Sequence, residues 1–135
     1  MSDSAQPDCP FCGNLDSRTI CGNDLAVAIP DGYPVSPGHT LIIPRRHVAS
    51  WFDLRQEEVQ AVFDLLAKVR ERLDQEHRPD GYNIGINIGA AAGQTVFHVH
   101  VHLIPRYAHD VPKPRGGVRH VIPGKGDYPR VPLSG

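Results

Sequence analysis

The feature that most constrains this chain is a run of three histidines, His98, His100 and His102, separated by single valines. Alternation of polar and apolar residues is typical of a β-strand that has one face against a core. Residues two apart on a strand point to the same face, about 7 Å from each other. The sequence therefore predicts a strand within residues 93–106 whose three imidazoles lie in one row, with the valines on the opposite face.

Three interpretations of this row are open: buried core histidines, a set of metal ligands, and a catalytic site. Burying three titratable rings without a purpose is costly, whereas histidine is a common ligand of zinc, copper and iron. The loop before the strand favours catalysis. Gly93 lets the backbone approach a ligand closely, and the Gln94 amide and Thr95 hydroxyl are suited to holding phosphate oxygens.

A second motif lies near the N-terminus, where Cys9 and Cys12 are spaced to share one metal ion. The same spacing also fits a thiol redox pair, but such pairs precede a helix and nothing helical follows here. A tetrahedral zinc site needs two more ligands, for which His47 and His98 are the candidates. The chain starts without a signal-peptide pattern, so we expect reduced cysteines and a cytoplasmic protein, with Cys21 as a small core residue.

Composition narrows the functional classes further. A chain of 135 residues with 14 basic and 15 acidic side chains gives no argument for binding nucleic acid or a membrane surface. It also has no apolar run of about 20 residues, the length that a membrane span requires. Hydrophobic periodicity predicts one long helix at 54–73 and short strands at 17–22, 25–29, 39–44 and 82–88. After Arg106 the chain becomes rich in proline and glycine, which predicts an irregular tail over residues 108–135.

The histidine run, His98-Val-His-Val-His-Leu-Ile104, matches the signature of the histidine-triad (HIT) superfamily. The preceding Gly-Gln-Thr-Val and the following Pro105-Arg106 resemble its fragile-histidine-triad branch and the related bacterial proteins. The segment Pro-Val-x-Pro-Gly-His-x-Leu-Ile-Ile-Pro, residues 34–44, also resembles the superfamily. The resemblance covers about residues 9–107. It implies an α+β fold, in which a five-stranded antiparallel sheet carries one long and one short helix, and a homodimer.

The resemblance also implies roles for the histidines. His100 would be the nucleophile that takes the nucleotidyl group, and His102 would donate a hydrogen bond to the α-phosphate oxygens. His39 would sit beside the triad and orient the His100 ring. If the His98 ring binds zinc, its backbone would contribute more to the site than its ring. Zinc-bearing relatives imply one structural zinc ion on Cys9, Cys12, His47 and His98, and no redox cofactor.

For the substrate, the resemblance implies that Asp31 contacts the ribose and that Asn87 touches the phosphate or the ribose. The alternative for Asp31 is a turn residue that caps its own backbone, and for Asn87 an exposed amide. Gly93, Gln94 and Thr95 would hold phosphate oxygens. The purine would lie between apolar side chains of residues 25–29 and 39–44.

Three functions are compatible with these residues. The preferred one is hydrolysis at the α-phosphate of dinucleoside polyphosphates or adenylated compounds, which releases AMP; adenine nucleotides are the expected substrates. His102 stands where the related uridylyltransferases have glutamine, which favours hydrolysis over transfer. The second is a phosphoramidase that cleaves P–N bonds of AMP amidates. The third is a zinc-stabilised nucleotide-binding module with little activity.

Overall fold

The computed structural model describes residues 6–13 and 15–129, which fold around an antiparallel sheet. Its strands are β1 (Cys21–Gly22), β2 (Ala26–Pro30), β3 (Thr40–Pro44), β4 (Gly81–Ile86) and β5 (Val101–Arg106). They lie in the order β1-β2-β3-β5-β4. One long helix, α1 (Gln56–His77), covers the sheet, and short 3₁₀ turns form at Trp51–Asp53, Ala90–Ala92 and Gly117–Val121. The predicted α+β fold is confirmed.

One face of the sheet packs against α1. The helix buries four apolar side chains at helical spacing, which contact small and branched residues of the three central strands: Val62, Leu65, Val69, Leu73 against Ala26, Ala28, Ile42, Val101, Leu103. The helix begins two residues later than predicted and ends four residues later, where Arg78 adopts a left-handed φ of 50° before Pro79. Phe63, which also lies in the predicted helix, is 52% exposed.

The opposite face of the sheet carries a second apolar cluster. Four side chains of β2 and β3 are buried there: Val27, Ile29, Leu41, Ile43. Phe11 and Leu15, from the segment that contains the two N-terminal cysteines, pack over this cluster. Leu41 pairs with His102 across β3 and β5, so His102 lies on the same face as the cluster. The N-terminal segment and the histidines therefore meet on one side of the sheet.

The first hairpin and the flanking strands were predicted in the correct places with small errors at their ends. β1 is two residues long instead of six, β3 begins at Thr40 instead of His39, and β4 ends at Ile86 instead of residue 88. The Asn23 side chain closes the first turn by accepting hydrogen bonds from the N–H groups of Leu25 (3.1 Å) and Ala26 (2.8 Å).

The predicted single strand through all three histidines is wrong. β5 begins only at Val101, and the chain bends at residues 96–98. The Val99 N–H donates to the Val48 carbonyl (2.7 Å) instead of pairing with β4. Only His102 is therefore a strand residue. The alternation of histidines with apolar residues still predicts which side chains are buried. The apolar residues between and after the histidines are all buried: Val99, Val101 and Leu103.

Among the described residues, no helix has the length and apolar character that crossing a bilayer requires.

A buried ion pair fixes the start of α1 to the segment after β3. Glu58, which is 1% exposed, accepts two hydrogen bonds from the Arg46 guanidinium (3.0 and 2.8 Å). It also accepts the Arg55 N–H at 2.8 Å. The hydrogen bonds from Arg46 hold the pKa of Glu58 below its usual value, although burial acts in the opposite direction. The helix start therefore depends on Arg46, which immediately precedes His47.

We expect Arg46→Met to destabilise the protein by about 3 kcal/mol, because it leaves the Glu58 carboxylate buried without its cation. Adding Glu58→Gln should recover part of that loss, since the buried group is then neutral. Urea unfolding at neutral pH measures both effects. Arg45→Met is the matched control, because the Arg45 side chain is exposed and should cost at most about 1 kcal/mol. Equal losses in the single and double variants would contradict the ion-pair explanation.

Candidate active site and metal cluster

The two N-terminal cysteines lie next to two histidines from distant parts of the chain. The Cys12 Sγ is 3.0 Å from the Nδ1 of His47 and 3.4 Å from the Nδ1 of His98, and the Cys9 Sγ is 3.5 Å from the same His98 nitrogen. All four potential ligand atoms lie within 4.8 Å of one another. The structure thus brings together the four residues that were predicted as zinc ligands.

The geometry of this cluster fits a tetrahedral metal ion. With metal–sulfur bonds of about 2.3 Å and metal–nitrogen bonds of about 2.0–2.1 Å, tetrahedral zinc separates sulfur from nitrogen by about 3.5 Å. Three of the four sulfur–nitrogen separations run from 3.0 to 3.5 Å, and the fourth, between Cys9 and His47, is within 4.8 Å. The Nε2–H of His98 donates to the Pro44 carbonyl (2.7 Å), which leaves the Nδ1 lone pair directed at the thiols. His98 is fully buried, and burial lowers its pKa, which favours the neutral ring that a metal ligand must have.

The His100 ring is oriented by the backbone of a neighbouring histidine. Its Nδ1 lies 2.9 Å from the His98 carbonyl oxygen, and because a carbonyl only accepts, the proton is on Nδ1. The neutral ring therefore carries a lone pair on Nε2. Within residues 6–13 and 15–129, no hydrogen bond involves that nitrogen. His100 consequently presents an unshared electron pair to the face of the sheet.

His102 is oriented through a chain of hydrogen bonds that gives it the opposite polarity. The Val35 N–H donates to Nδ1 of His39 (3.1 Å), so the neutral His39 ring carries its proton on Nε2. That Nε2–H lies 2.9 Å from Nδ1 of His102 and donates to it. The proton of a neutral His102 is then on its Nε2. His102 therefore presents an N–H donor beside the His100 lone pair, and the two rings are 5.1 Å apart between centroids.

The prediction that His39 orients His100 is wrong, although His39 does sit beside the triad as expected. Its Nε2 contacts His102, while the His98 carbonyl occupies the position next to His100. Both rings of the His39–His102 pair are held neutral. Burial is the main cause of the lowered pKa of His39, and burial followed by the neighbouring His100 and His39 lowers the pKa of His102 to about 4.

Asp31 lies at the edge of this pair. Its Oδ2 is 3.4 Å from Nε2 of His39 and 3.8 Å from Nδ1 of His102, and its Oδ1 accepts the Tyr33 N–H at 2.7 Å. The turn-capping role is therefore present in the structure. The predicted contact with a ribose remains a prediction, which the position of the carboxylate beside two of the site histidines permits.

The residues predicted to contact the phosphate or the ribose differ in exposure and in their hydrogen bonds within the protein. The Gln94 amide is 5% exposed, accepts the Gly89 N–H (2.8 Å), and donates to the carbonyls of Ala49 (2.8 Å) and Val96 (3.2 Å). It holds the loop together in this structure. Thr95 is exposed, Gly93 ends the 3₁₀ turn with a left-handed φ of 93°, and Asn87 directly follows β4 near the start of β5. The contacts of Gly93, Gln94 and Thr95 with phosphate, and of Asn87 with the phosphate or the ribose, stay predictions.

Phe11 was not predicted as a site residue from the sequence. Its ring lies 5.0 Å from the His100 ring and 6.1 Å from the His98 ring, in edge-on arrangements. The only available signal was an aromatic residue between the two cysteines of the metal-binding motif. Once those cysteines approach His98, the residue between them is placed over the neighbouring histidine.

We expect the free energy of unfolding to fall as the pH drops from 6.5 to about 4, because unfolded His102 takes up a proton while the folded ring stays neutral. The stabilisation that neutral His102 provides is complete above about pH 6.5, the pKa of histidine in the unfolded chain. It is lost as the pH falls to about 4, the pKa of His102 in the folded protein, and amounts to at most about 3 kcal/mol. His102→Gln removes this titration and should lose less stability over the same interval. Urea unfolding of both proteins across the interval measures the difference, and parallel curves would contradict the prediction.

Comparisons with known proteins identify related sequences. The HIT domain profile matches residues 13–109. A HIT-like protein of unknown function from Mycoplasma genitalium is 39% identical over 111 residues, which cover 79% of each chain. The asymmetrical bis(5'-nucleosyl)-tetraphosphatase of Schizosaccharomyces pombe is 42% identical over 92 residues, which cover 68% of this chain and 50% of the relative.

A solved structure supports the same assignment and includes a metal. The zinc-bound histidine triad family protein from Mycobacterium smegmatis is 34% identical, with a TM-score of 0.69 over 76% of this chain and 78% of that one. The TM-score shows that this chain shares its fold with a solved histidine triad protein. Together with the profile match over most of the chain, this similarity shows that the chain belongs to the HIT family.

Proposed function

We propose that this protein is a nucleotide hydrolase that cleaves dinucleoside polyphosphates or adenylated compounds at the α-phosphate. The reaction would pass through a covalent nucleotidyl-histidine on His100 and release AMP. The observation that carries this proposal is the opposite polarity of two adjacent imidazoles: an unshared electron pair on Nε2 of His100, and an N–H on Nε2 of His102. A nucleophile beside a hydrogen-bond donor is what displacement at phosphorus requires.

In the first step, Nε2 of His100 attacks the α-phosphorus and forms a P–N bond. The bond between phosphorus and the bridging oxygen breaks, and the leaving phosphate departs with its electron pair. The His100 ring becomes positively charged as the bond forms. The His98 carbonyl stabilises that charge through the Nδ1–H, while His102 donates to the oxygen that gains negative charge.

In the second step, water attacks the same phosphorus and the P–N bond breaks. The electron pair returns to Nε2 of His100, and the water proton is released with AMP. His102 keeps its proton throughout, because its low pKa and its contact with His39 favour the neutral ring with the proton on Nε2. The two-step route replaces one difficult displacement by two easier ones.

The comparisons support the substrate class at a coarser level. The Schizosaccharomyces pombe relative is named for hydrolysis of a dinucleoside tetraphosphate, although this chain spans only half of its length. In the proposed reaction, the three histidines and the glycine-rich loop before them would face the substrate. Adenine nucleotides and dinucleoside polyphosphates are thus the first substrates to test.

We expect His100→Ala to lower kcat for diadenosine tetraphosphate by at least about 10³-fold, because the His100 ring supplies the nucleophile in the proposed reaction. Wild-type protein quenched during turnover of α-phosphorus-labelled substrate should carry the label on the peptide that contains His100. His109→Asn is the matched control, since His109 is exposed on the tail, has a left-handed φ of 69°, and should leave the rate unchanged.

The same assay separates the competing functions. Diadenosine triphosphate, diadenosine tetraphosphate and an AMP amidate are compared as substrates of the wild-type protein. Preference for the amidate would indicate the phosphoramidase instead. AMP binding without turnover of any of the three would indicate a binding module, and full activity of His100→Ala would refute the covalent mechanism.

We also propose that the cluster of Cys9, Cys12, His47 and His98 holds a structural zinc ion. Two thiols and two imidazoles within 4.8 Å of one another are a complete protein ligand set for zinc, which is the arrangement of structural sites. The bound ion would join the N-terminal segment, the residues after β3 and the bend before β5. The support is the ligand geometry together with the zinc-bound relative of similar fold.

We expect one zinc ion per chain in native mass spectrometry, and its loss in Cys9→Ser and in His47→Gln. Loss of the metal should also lower the free energy of unfolding by more than about 2 kcal/mol, because the ion binds the folded chain preferentially. Cys21→Ser is the matched control and should keep the metal, since Cys21 lies in β1 outside the cluster. Wild-type protein purified with zinc present but recovered without metal would contradict this proposal.

A further inference from the structure

A cavity of about 660 Å³ lies on the histidine-bearing side of the molecule, beyond His102 along β5. Ile104 is part of its lining, and the other aliphatic side chains come from two loops. Val35 and Pro37 lie in the loop after β2, and Val111, Pro112 and Pro114 lie in the segment after β5. Its size is within the range of small-ligand sites, about 300–1,000 Å³. Part of the cavity wall thus comes from the tail, residues 108–135, and part from the loop after β2.

The walls of the cavity are held in place by hydrogen bonds. The Ser36 hydroxyl donates to the Pro105 carbonyl (2.7 Å), and the Tyr107 hydroxyl donates to the Pro37 carbonyl (2.7 Å). Arg106 binds both carboxylate oxygens of Asp110 (2.7 and 2.9 Å). These hydrogen bonds fix the cavity walls, which reduces the ordering cost of binding.

One cation at the cavity is available to a ligand. The charge of Arg106 is balanced by Asp110, and the guanidinium groups of Arg115 and Arg119 lie over the Tyr128 ring at 4.5 and 4.8 Å. Lys113 lines the cavity, is exposed, and has no hydrogen bond or ion pair with any residue in the described parts of the chain. A free ammonium beside an apolar lining suits an anionic ligand with an aromatic part.

The surface between the histidines and this cavity is open. His102 and Ile104 are two residues apart on one face of β5, about 7 Å from each other. On the neighbouring strand, Gly85 lies opposite His102, and no atom occupies the 4 Å in front of the position its side chain would take. A substrate chain can therefore run from the histidines to the cavity without meeting a side chain of β4 at that point.

We infer that the tail-lined cavity binds the leaving half of the substrate. This inference rests on the proposed function and narrows its substrate class to compounds whose leaving group carries further phosphates and an aromatic group, such as the second nucleoside of a dinucleoside polyphosphate. The apolar lining receives the base, and Lys113 contacts the phosphate chain. The tail is thus the specificity-determining element for the leaving group.

The test compares binding of AMP with binding of a diadenosine tetraphosphate analogue that has methylene groups in place of the bridging oxygens. Calorimetry with Val111→Trp, which fills the cavity, should show about tenfold weaker binding of the analogue. Lys113→Ala should weaken it about threefold, as expected for a partly exposed ion pair. AMP affinity should stay within about twofold for both variants, because AMP lacks the leaving half.

The matched controls are Val121→Trp and Lys125→Ala. Both residues are exposed on the same tail and lie outside the cavity lining, so neither variant should change either affinity. Kinetics give a second measurement. Val111→Trp should lower kcat/KM for diadenosine tetraphosphate about tenfold and leave it unchanged for adenosine 5'-phosphorofluoridate, whose leaving group is a single fluoride ion.

The outcomes distinguish this inference from the proposed function. Hydrolysis by the wild-type protein, together with unchanged analogue binding in both cavity variants, would overturn the cavity assignment alone. Equal weakening of AMP and analogue would also overturn it, because the variants would then act on the site as a whole. Absence of hydrolysis by the wild-type protein would refute the proposed function, while selective loss of analogue binding would still support the cavity as a binding site.

Discussion

The proposed chemistry depends on the hydrogen bond that the His100 ring donates to the His98 carbonyl. It fixes which ring nitrogen carries the proton, and therefore which one has the electron pair. The carbonyl is well anchored, because the His98 ring is fully buried, donates to the Pro44 carbonyl and lies against the two N-terminal cysteines. A single residue thus links the proposed metal site to the proposed nucleophile, one through its ring and the other through its backbone.

His100 and His102 present opposite hydrogen-bonding groups at Nε2, because different groups contact the Nδ1 atoms of the two rings. Nδ1 of His100 donates to a carbonyl, whereas Nδ1 of His102 accepts from His39, which in turn accepts the Val35 N–H. Burial supports this arrangement, since it lowers the pKa of both His39 and His102 and keeps the rings neutral. A charged His102 would have a proton on both nitrogens, and the hydrogen bond from His39 would then be lost.

Sequence reasoning predicted what depends on residue type and spacing. The α+β fold, the position of the main helix and the close approach of Cys9, Cys12, His47 and His98 all follow from periodicity, spacing or family resemblance, and the structure contains each of them. The sequence-based predictions were wrong where backbone hydrogen bonds determine the local conformation. The bend at residues 96–98, which turns the His98 ring into the cluster, depends on a hydrogen bond between Val99 and Val48 that no spacing reveals.

The error about His39 has the same origin. Two histidines were available as partners, and only the register of β3 against β5, which places Leu41 opposite His102, brings the residue before β3 to His102 and not to His100. Gln94 shows a related effect. Its amide was predicted from its type to face a ligand, yet the loop carbonyls of Ala49 and Val96 are closer and bind it. Local backbone groups compete for polar side chains, and a sequence pattern does not show them.

Segments outside the central strands of the sheet lie on the two sides of the His100–His102 pair. On the side of β2 and β3, Phe11 covers the apolar cluster and contacts the His100 ring, and its position depends on the cysteines on either side of it. On the side of β4, the segment after β5 forms the cavity around Ile104. A reaction that divides a substrate into two halves needs a surface for each. In the proposed reaction, substrate choice would therefore depend on these two terminal segments, while the central strands supply the histidines.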